Sequence, residues 1–279
     1  MKMLSYGKRF GMTDDLKRLL AGQNDAIELD RAALNLATLE FPGLDFGPSL
    51  RALDRFASDI AERCRDLSDG HEFVHVSNAY LFQQIVLRGN NDDYYNPRNS
   101  CLNRVLDEHL GIPITLSVIY METARRLAKN VAGIGLPRHF IIRYDDGEYS
   151  TYIDPFHGGT LLTPNDCYRL AHIEDENPRW LEPVSKLQIV MRMINNLRGI
   201  YFSRRSFEKA QEILNLLIEA NPASAEDYKQ RGLVRLQMRH LIAGKCDLQK
   251  YLALNPNAED KEEIEGQLQA VGKWLAALN

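Results

Sequence analysis

Over its last ninety residues the chain repeats itself. Asn221-Pro222 returns as Asn255-Pro256, a period of 34, and at the same offset Ala210 maps to Gly244 and Leu214 to Leu248. A unit of that length is a helix–turn–helix that cannot bury its apolar face alone and must stack on a neighbour. Small residues at 210 and 244 let paired helices approach closely, and Tyr201 and Tyr228 stand where such a unit needs large aromatics. Two units, about 191–224 and 225–258, followed by a last helix over EDKEEIEGQLQAVGKWLAAL, give a right-handed helical wall. A plain α-hairpin bundle is the simpler alternative.

Upstream the pattern changes. AIELDRAALNLATLE (26–40), FGPSLRALDRFASDIAERC (46–64), NAYLFQQIVL (78–87) and CLNRVLDEHL (101–110) carry apolar residues at helical spacing, with Pro48 early in the second. RGNNDDYYNPRNS (88–100) is a polar loop. GIPITLSVIYMETARRLAK (111–129) reads as a helix opened by Pro113 and buried all round at its start, ending on Arg125-Arg126 at the negative end of its dipole. VAGIGLPRHFIIRY and YSTYIDPF then read as two strands joined by a turn, with His139 on the first and Asp154 near the end of the second. A buried helix followed by strands predicts α+β: helices on a small antiparallel sheet. TPNDCYRLAHIEDENPRWLEPVSK (163–186) is irregular and puts a domain boundary near 187.

The bulk numbers exclude several classes. With 279 residues, 26% of them charged, a net charge of −4 and a pI near 6.0, nothing points to nucleic acid or an anionic membrane. No apolar run spans a bilayer, and the opening MKMLSYGKRFGMTDDLKRLL has no apolar signal core. Cys64, Cys101, Cys167 and Cys246 lie far apart without CxxC pairing, which suits a reduced, cytoplasmic protein without a zinc site. HEFVH (71–75) matches the H-E-x-x-H pattern, but Asp69-Gly70 puts His71 at a helix end and no third ligand follows; surface histidines are expected there, and no metal or cofactor.

His139 and Asp154 are two-thirds of a nucleophile-activating triad, since a carboxylate on one ring nitrogen fixes the tautomer and raises the basicity of the other. The pair needs a thiol or hydroxyl within reach, and a thiolate is favoured at the positive start of the buried helix.

The segments RGN, DDYYNPRNS, GIPITLS, PRHF and YIDPFHGG in this order, followed by the repeats, resemble the bacterial SirB-type family of transglutaminase-like plus tetratricopeptide proteins. The resemblance covers nearly the whole chain, most specifically residues 87–159. It implies a papain-like or transglutaminase-like core over 1–187, with a helical N-terminal part, and an all-α tetratricopeptide-like domain with a capping helix over 188–279. Active members of the wider superfamily open the core helix with a cysteine and carry a histidine and an aspartate on successive strands. By that analogy His139 and Asp154 match, while the cysteine's position falls at Ile114–Thr115. Thr115 and Ser117 carry hydroxyls, poor substitutes for a thiolate. Two departures from the family bear on chemistry. Cys101 opens a helix where a bulkier residue is usual. Arg138 stands where glycine is usual, so that a long cation partly covers His139. Arg198 likewise takes the glycine position of the first repeat, which Gly232 keeps in the second.

The lead expectation is a non-catalytic, transglutaminase-like protein that binds a protein or peptide partner through its repeats. The cleft candidates are Tyr94, Tyr95, Arg98 and Thr115, with Asn99 or Ser100 capping the following helix; the groove candidates are Arg192, Asn195, Lys229 and Gln237. The rival is a cysteine-dependent amidase, peptidase or acyl transferase using Cys101, His139 and Asp154.

Overall fold

The computed structural model of the chain describes residues 14–22 and 28–277. The opening stretch 1–13 and the first two residues of the expected helix at 26–40 lie outside them. Two compact units divide the chain, one including Asp25–Asn196 and the other Leu197–Asn279. α1 (Asp14–Leu20) has residues in both units; the helices of the first are α2 (Leu29–Ala37), α3 (Gly47–Arg63), α4 (Gly70–Asn78), α5 (Leu102–Glu108), α6 (Pro113–Arg126) and α7 (Pro164–Leu170). α3 buries Leu53, Phe56 and Ile60, the face its spacing predicts. Asp69 caps α4 by accepting the amides of His71 and Glu72, and the Glu72 carboxylate accepts those of Arg65 and Asp66 at 2.9 and 3.2 Å. The HEFVH motif therefore opens a helix with both histidines exposed and its glutamate committed to the preceding loop. The expected helix at 78–87 is a π-helical continuation of α4 over Ala79–Gln84.

α6 is the centre of this unit. Pro113 sits in its first turn, and Pro113 to Tyr120 are buried without a break, so the helix is enclosed by α2, α3, α5 and the sheet. Its C-terminal turn is tied down by charge. Arg126 bonds Asp30 of α2 at 2.7 Å and Asp54 of α3 at 2.6 Å, while buried Glu122 takes Arg125 at 2.8 Å and accepts from the Leu29 amide.

The sheet is an antiparallel meander of β3 (Val131–Ile134), β4 (Ile141–Asp145), β5 (Ser150–Asp154) and β6 (Thr160–Leu162), with Ile142 opposite Ile153 and Asp154 opposite Thr160. A short parallel pair, β1 (Arg88–Gly89) with β2 (Leu110–Gly111), stands apart from it. The stretch after Leu162 is less irregular than its prolines suggest: Thr163 and Asp166 form a capping box that starts α7. Cys167 and Tyr168 of that helix pack with Ile134, Leu136, Ile141 and Leu181 in a core on the sheet.

α8 (Lys186–Ser203) follows, and the division between the units falls within it, between Asn196 and Leu197. α9 (Phe207–Ala220), α10 (Ala225–Gln237), α11 (Leu241–Leu254) and α12 (Lys261–Ala277) complete the second unit. The 34-residue period is visible in the backbone: Asn221 ends α9 at φ −134° and ψ 85°, and Asn255 ends α11 at φ −131° and ψ 74°. A Cβ on Gly244 would come within 3.0 Å of the Gly232 carbonyl, so the small residues do bring α10 and α11 into close approach. Arg198 occupies its glycine position by pairing with Asp227 of α10 at 3.3 Å. Among the described residues no helix is long and apolar enough to cross a membrane.

Two glycines give opposite expectations. A Cβ on Gly89 would lie 2.5 Å from the Phe156 ring, whereas one on Gly266, exposed in α12, would meet nothing within 4 Å. Gly89→Ala should cost about 1–3 kcal/mol in denaturant unfolding, and Gly266→Ala should add about 0.5–1 kcal/mol.

Candidate functional site

Asp154 ends β5 and is buried, and its two oxygens collect four donors. Oδ1 accepts the amides of Phe156 and His157 at 3.0 and 3.3 Å; Oδ2 lies 3.0 Å from His139 Nε2 and 2.7 Å from His157 Nδ1. Burial opposes ionisation of this carboxyl. The hydrogen bonds and charge of His139, and then of His157, outweigh it and hold the carboxyl below the usual aspartate range. An ionised carboxylate only accepts, so both facing ring nitrogens carry protons. Neutral His139 is then the Nε2–H tautomer, and its Nδ1 is a lone pair with no hydrogen-bond partner among the described residues. That is the orientation a general base requires.

His139 is not on the strand where its sequence context predicts it. It stands two residues before β4, in a turn made by Pro137 and by Arg138 at φ 58°, with the His139 amide donating to Leu136 O at 3.3 Å. The left-handed backbone at 138 explains why glycine is the easy residue there. His157 was missed by sequence reasoning. The signal was present in the Asp-Pro-Phe-His run: an aspartate that caps a single 3-10 turn brings the residue three positions on back beside its own carboxylate.

His139 opens onto a cavity of about 530 Å³. Tyr94 and Tyr95 wall one part, Arg138 and Arg192 another, and Pro113 and Ile114 bring in the start of α6. The tyrosines are placed by the polar loop. Asn99, buried, donates to the carbonyls of Asp93 and Tyr94 at 2.7 and 3.1 Å and accepts from Asn90 at 3.0 Å. Asn99 is thus a loop clamp and not a helix cap; Cys101 is the N-cap of α5, without a side-chain cap bond. Phe156 meets Tyr94 and His139 edge-on, with ring centroids 6.0 and 6.1 Å apart, and Gly89 leaves room for that ring.

Other expected site residues fall elsewhere. Arg98 does not line the cavity; it pairs with Glu108 at 2.6 Å. Thr115 is fully buried and its hydroxyl finds no partner among the described residues, because the first turn of α6 presents Ile114 to the cavity and turns the next residue inward. Cys101 is buried too, with its thiol donating to Pro97 O at 3.4 Å, and it is not among the lining residues. Burial pushes the Cys167 thiol up to about 12. Of the groove candidates, Arg192 and Asn195 line a neighbouring cavity of about 490 Å³ in the first unit. Lys229 is taken up by Asp260 at 2.8 Å, and Gln237 is exposed near the end of α10. Regarding metals, His139, Asp154 and His157 bring three ligand atoms within 4.8 Å of one another. A cation there would require both rings to surrender the protons that now bond Asp154.

Two stability measurements test this geometry. Asp154→Asn should cost about 2–3 kcal/mol at pH 7. Because the folded carboxyl titrates below the unfolded one, the contribution is present above about pH 4 and is lost as pH falls through the folded value, so the gap between wild type and variant in urea midpoints should close in acid. Arg138→Gly should raise stability by about 1 kcal/mol by relieving the left-handed backbone.

Comparison with known proteins agrees with this architecture. Residues 48–195 match the model of the transglutaminase-like superfamily and residues 197–269 that of a tetratricopeptide repeat. A UPF0162 protein of Xylella fastidiosa is 30% identical over 253 residues, 88% of this chain and 90% of the relative. A UPF0162 protein of Pseudomonas aeruginosa is 27% identical, covering 86% and 89%. Human F-box only protein 21 is 30% identical over 176 residues, 60% of this chain and 27% of its own length. No solved structure matches. The chain belongs to the UPF0162 family, the SirB-type proteins that join a transglutaminase-like domain to tetratricopeptide repeats.

Proposed function

We propose that the chain is a non-catalytic, protein-binding module in which a transglutaminase-like cavity has become a recognition site and the tetratricopeptide repeats supply a second binding surface. The observation that carries this reading is the lining of the cavity beside His139. Where a thiol would have to stand, at the first turn of α6, the cavity meets Pro113 and Ile114. A His–Asp pair with its base nitrogen open, but with the helix start presenting neither a sulfur nor an aliphatic hydroxyl to the cavity, lacks the nucleophile that such a pair serves. The repeats favour a protein partner because stacked helical hairpins present an extended surface for a peptide or helix. Within them the exposed Gln237 is better placed for contact than Lys229, whose charge is already neutralised.

The orientation of His139 against Asp154 favours the second reading, a cysteine-dependent acyl-transfer enzyme using Cys101. The burial of Cys101 and its bond to Pro97 O weigh against it.

Thiol alkylation separates the two. With iodoacetamide at neutral pH, exposed Cys246 should label first, while Cys101 should stay protected until the chain unfolds and be indifferent to His139→Ala. Cys101 labelling faster than Cys246, and slowing in the His139→Ala chain, would overturn the non-catalytic reading.

A further inference from the structure

The charge at the cavity is one-sided. Its lining carries two formal charges, Arg138 and Arg192, both positive, and no carboxylate. Neither arginine makes an ion pair among the described residues. Arg192 is half-buried: burial pulls its guanidinium down from the usual arginine value while Tyr94 pulls it up. It donates only through Nη2, to the carbonyls of Leu136 at 2.8 Å and His139 at 2.6 Å, and it lies over the Phe140 ring at 5.5 Å. Its Nε and Nη1 donors therefore have no acceptor among the described residues. Arg138 is exposed, makes no hydrogen bond among the described residues, and keeps its place at the cavity from a left-handed backbone at φ 58°.

Both arginines also line the neighbouring cavity of about 490 Å³. There they meet a different surface: Leu136, Pro137, Trp180 and Met191 are apolar, and Gln188 and Asn195 offer amides. An arginine pair shared between two cavities of mixed lining suits an anionic group in the middle of a ligand that continues both ways. A guanidinium recognises a carboxylate through parallel N–H donors, and the amides of Gln188 and Asn195 suit a peptide backbone.

We propose that Arg138 and Arg192 bind the side-chain carboxylate of an acidic residue within an extended peptide that spans the two cavities. This deepens the binding reading above, on which it rests, by naming the feature of the partner that is recognised.

The full chain can be tested on arrays of acetylated, amidated heptapeptides with randomised flanks and a fixed central Glu, beside the same arrays with a central Gln. The best Glu peptides should bind about tenfold or more tightly than their Gln twins, the gain expected of a charge-assisted bidentate pair. Arg138→Asn, chosen because asparagine tolerates the left-handed backbone, should cut that ratio to less than about threefold, and Arg138→Lys should restore part of it. Equal or better binding of the Gln twins, an unchanged ratio in Arg138→Asn, or no saturable binding of any Glu peptide up to about 1 mM would each overturn the inference. A preference for Gln would do so while leaving peptide binding intact. Preferred binding of the Glu peptides together with their cleavage or cross-linking would uphold the inference and overturn the non-catalytic reading.

Discussion

The candidate site is organised around one carboxylate. Asp154 accepts from two backbone amides and two imidazoles, and each bond fixes something different. The amides turn the chain at the end of β5 into a 3-10 turn, which swings Phe156 towards the cavity and His157 back onto Asp154. The bond to His139 sets the tautomer and ring direction of a residue that lies in a turn and has no strand to hold it. A buried carboxylate is costly unless fully hydrogen-bonded. Here it is, and that satisfaction makes it a hub rather than a defect.

From that hub outward the packing is specific. Phe156 presses on the backbone at Gly89, where any Cβ would collide with its ring, and its edge meets His139 and Tyr94. Tyr94 is positioned from the other direction by Asn99, which closes the polar loop on its own carbonyls. The short β1–β2 pairing thus delivers Gly89 under Phe156, the loop delivers the tyrosines, and α6 closes the wall with Pro113 and Ile114. These contacts give a physical role to Arg88-Gly89-Asn90, the Tyr-Tyr loop, Gly111-Ile112-Pro113 and Asp154-Pro155-Phe156, the segments whose order marks the family.

What the sequence made legible follows from how local each signal is. The buried start of α6, the amphipathic α3 and the 34-residue repeat are written as periodicity, and each appears where its pattern puts it. His139 and Asp154 could be paired because they flank one hairpin. The errors arose where direction rather than position mattered. Thr115 and Ile114 are one residue apart on a helix, and about 100° of rotation decides which faces the cavity. Arg98 was near the right loop but reaches Glu108 instead. His139 lies in a turn because Pro137 and a left-handed Arg138 break the apparent strand, and no alternation of apolar residues reports that. Arg192 is a groove candidate by the repeat analogy, yet its guanidinium serves the turn that carries His139.

The two arginines make the strongest physical argument about what the cavity has become. Arg138 holds a backbone conformation that costs a side chain about 1 kcal/mol relative to glycine. Arg192 is partly withdrawn from water without a counter-ion among the described residues, a second expense that burial of a neutral residue would avoid. Nothing in the fold requires the Arg138 charge, since its side chain bonds no described neighbour. Both costs meet at the cavity beside His139, and the arrival of a negative charge, as proposed above, would offset both. On the binding reading proposed here, the frame serves recognition without any rebuilding of its core: the histidine and aspartate keep the turn in shape, and the turn presents the cation.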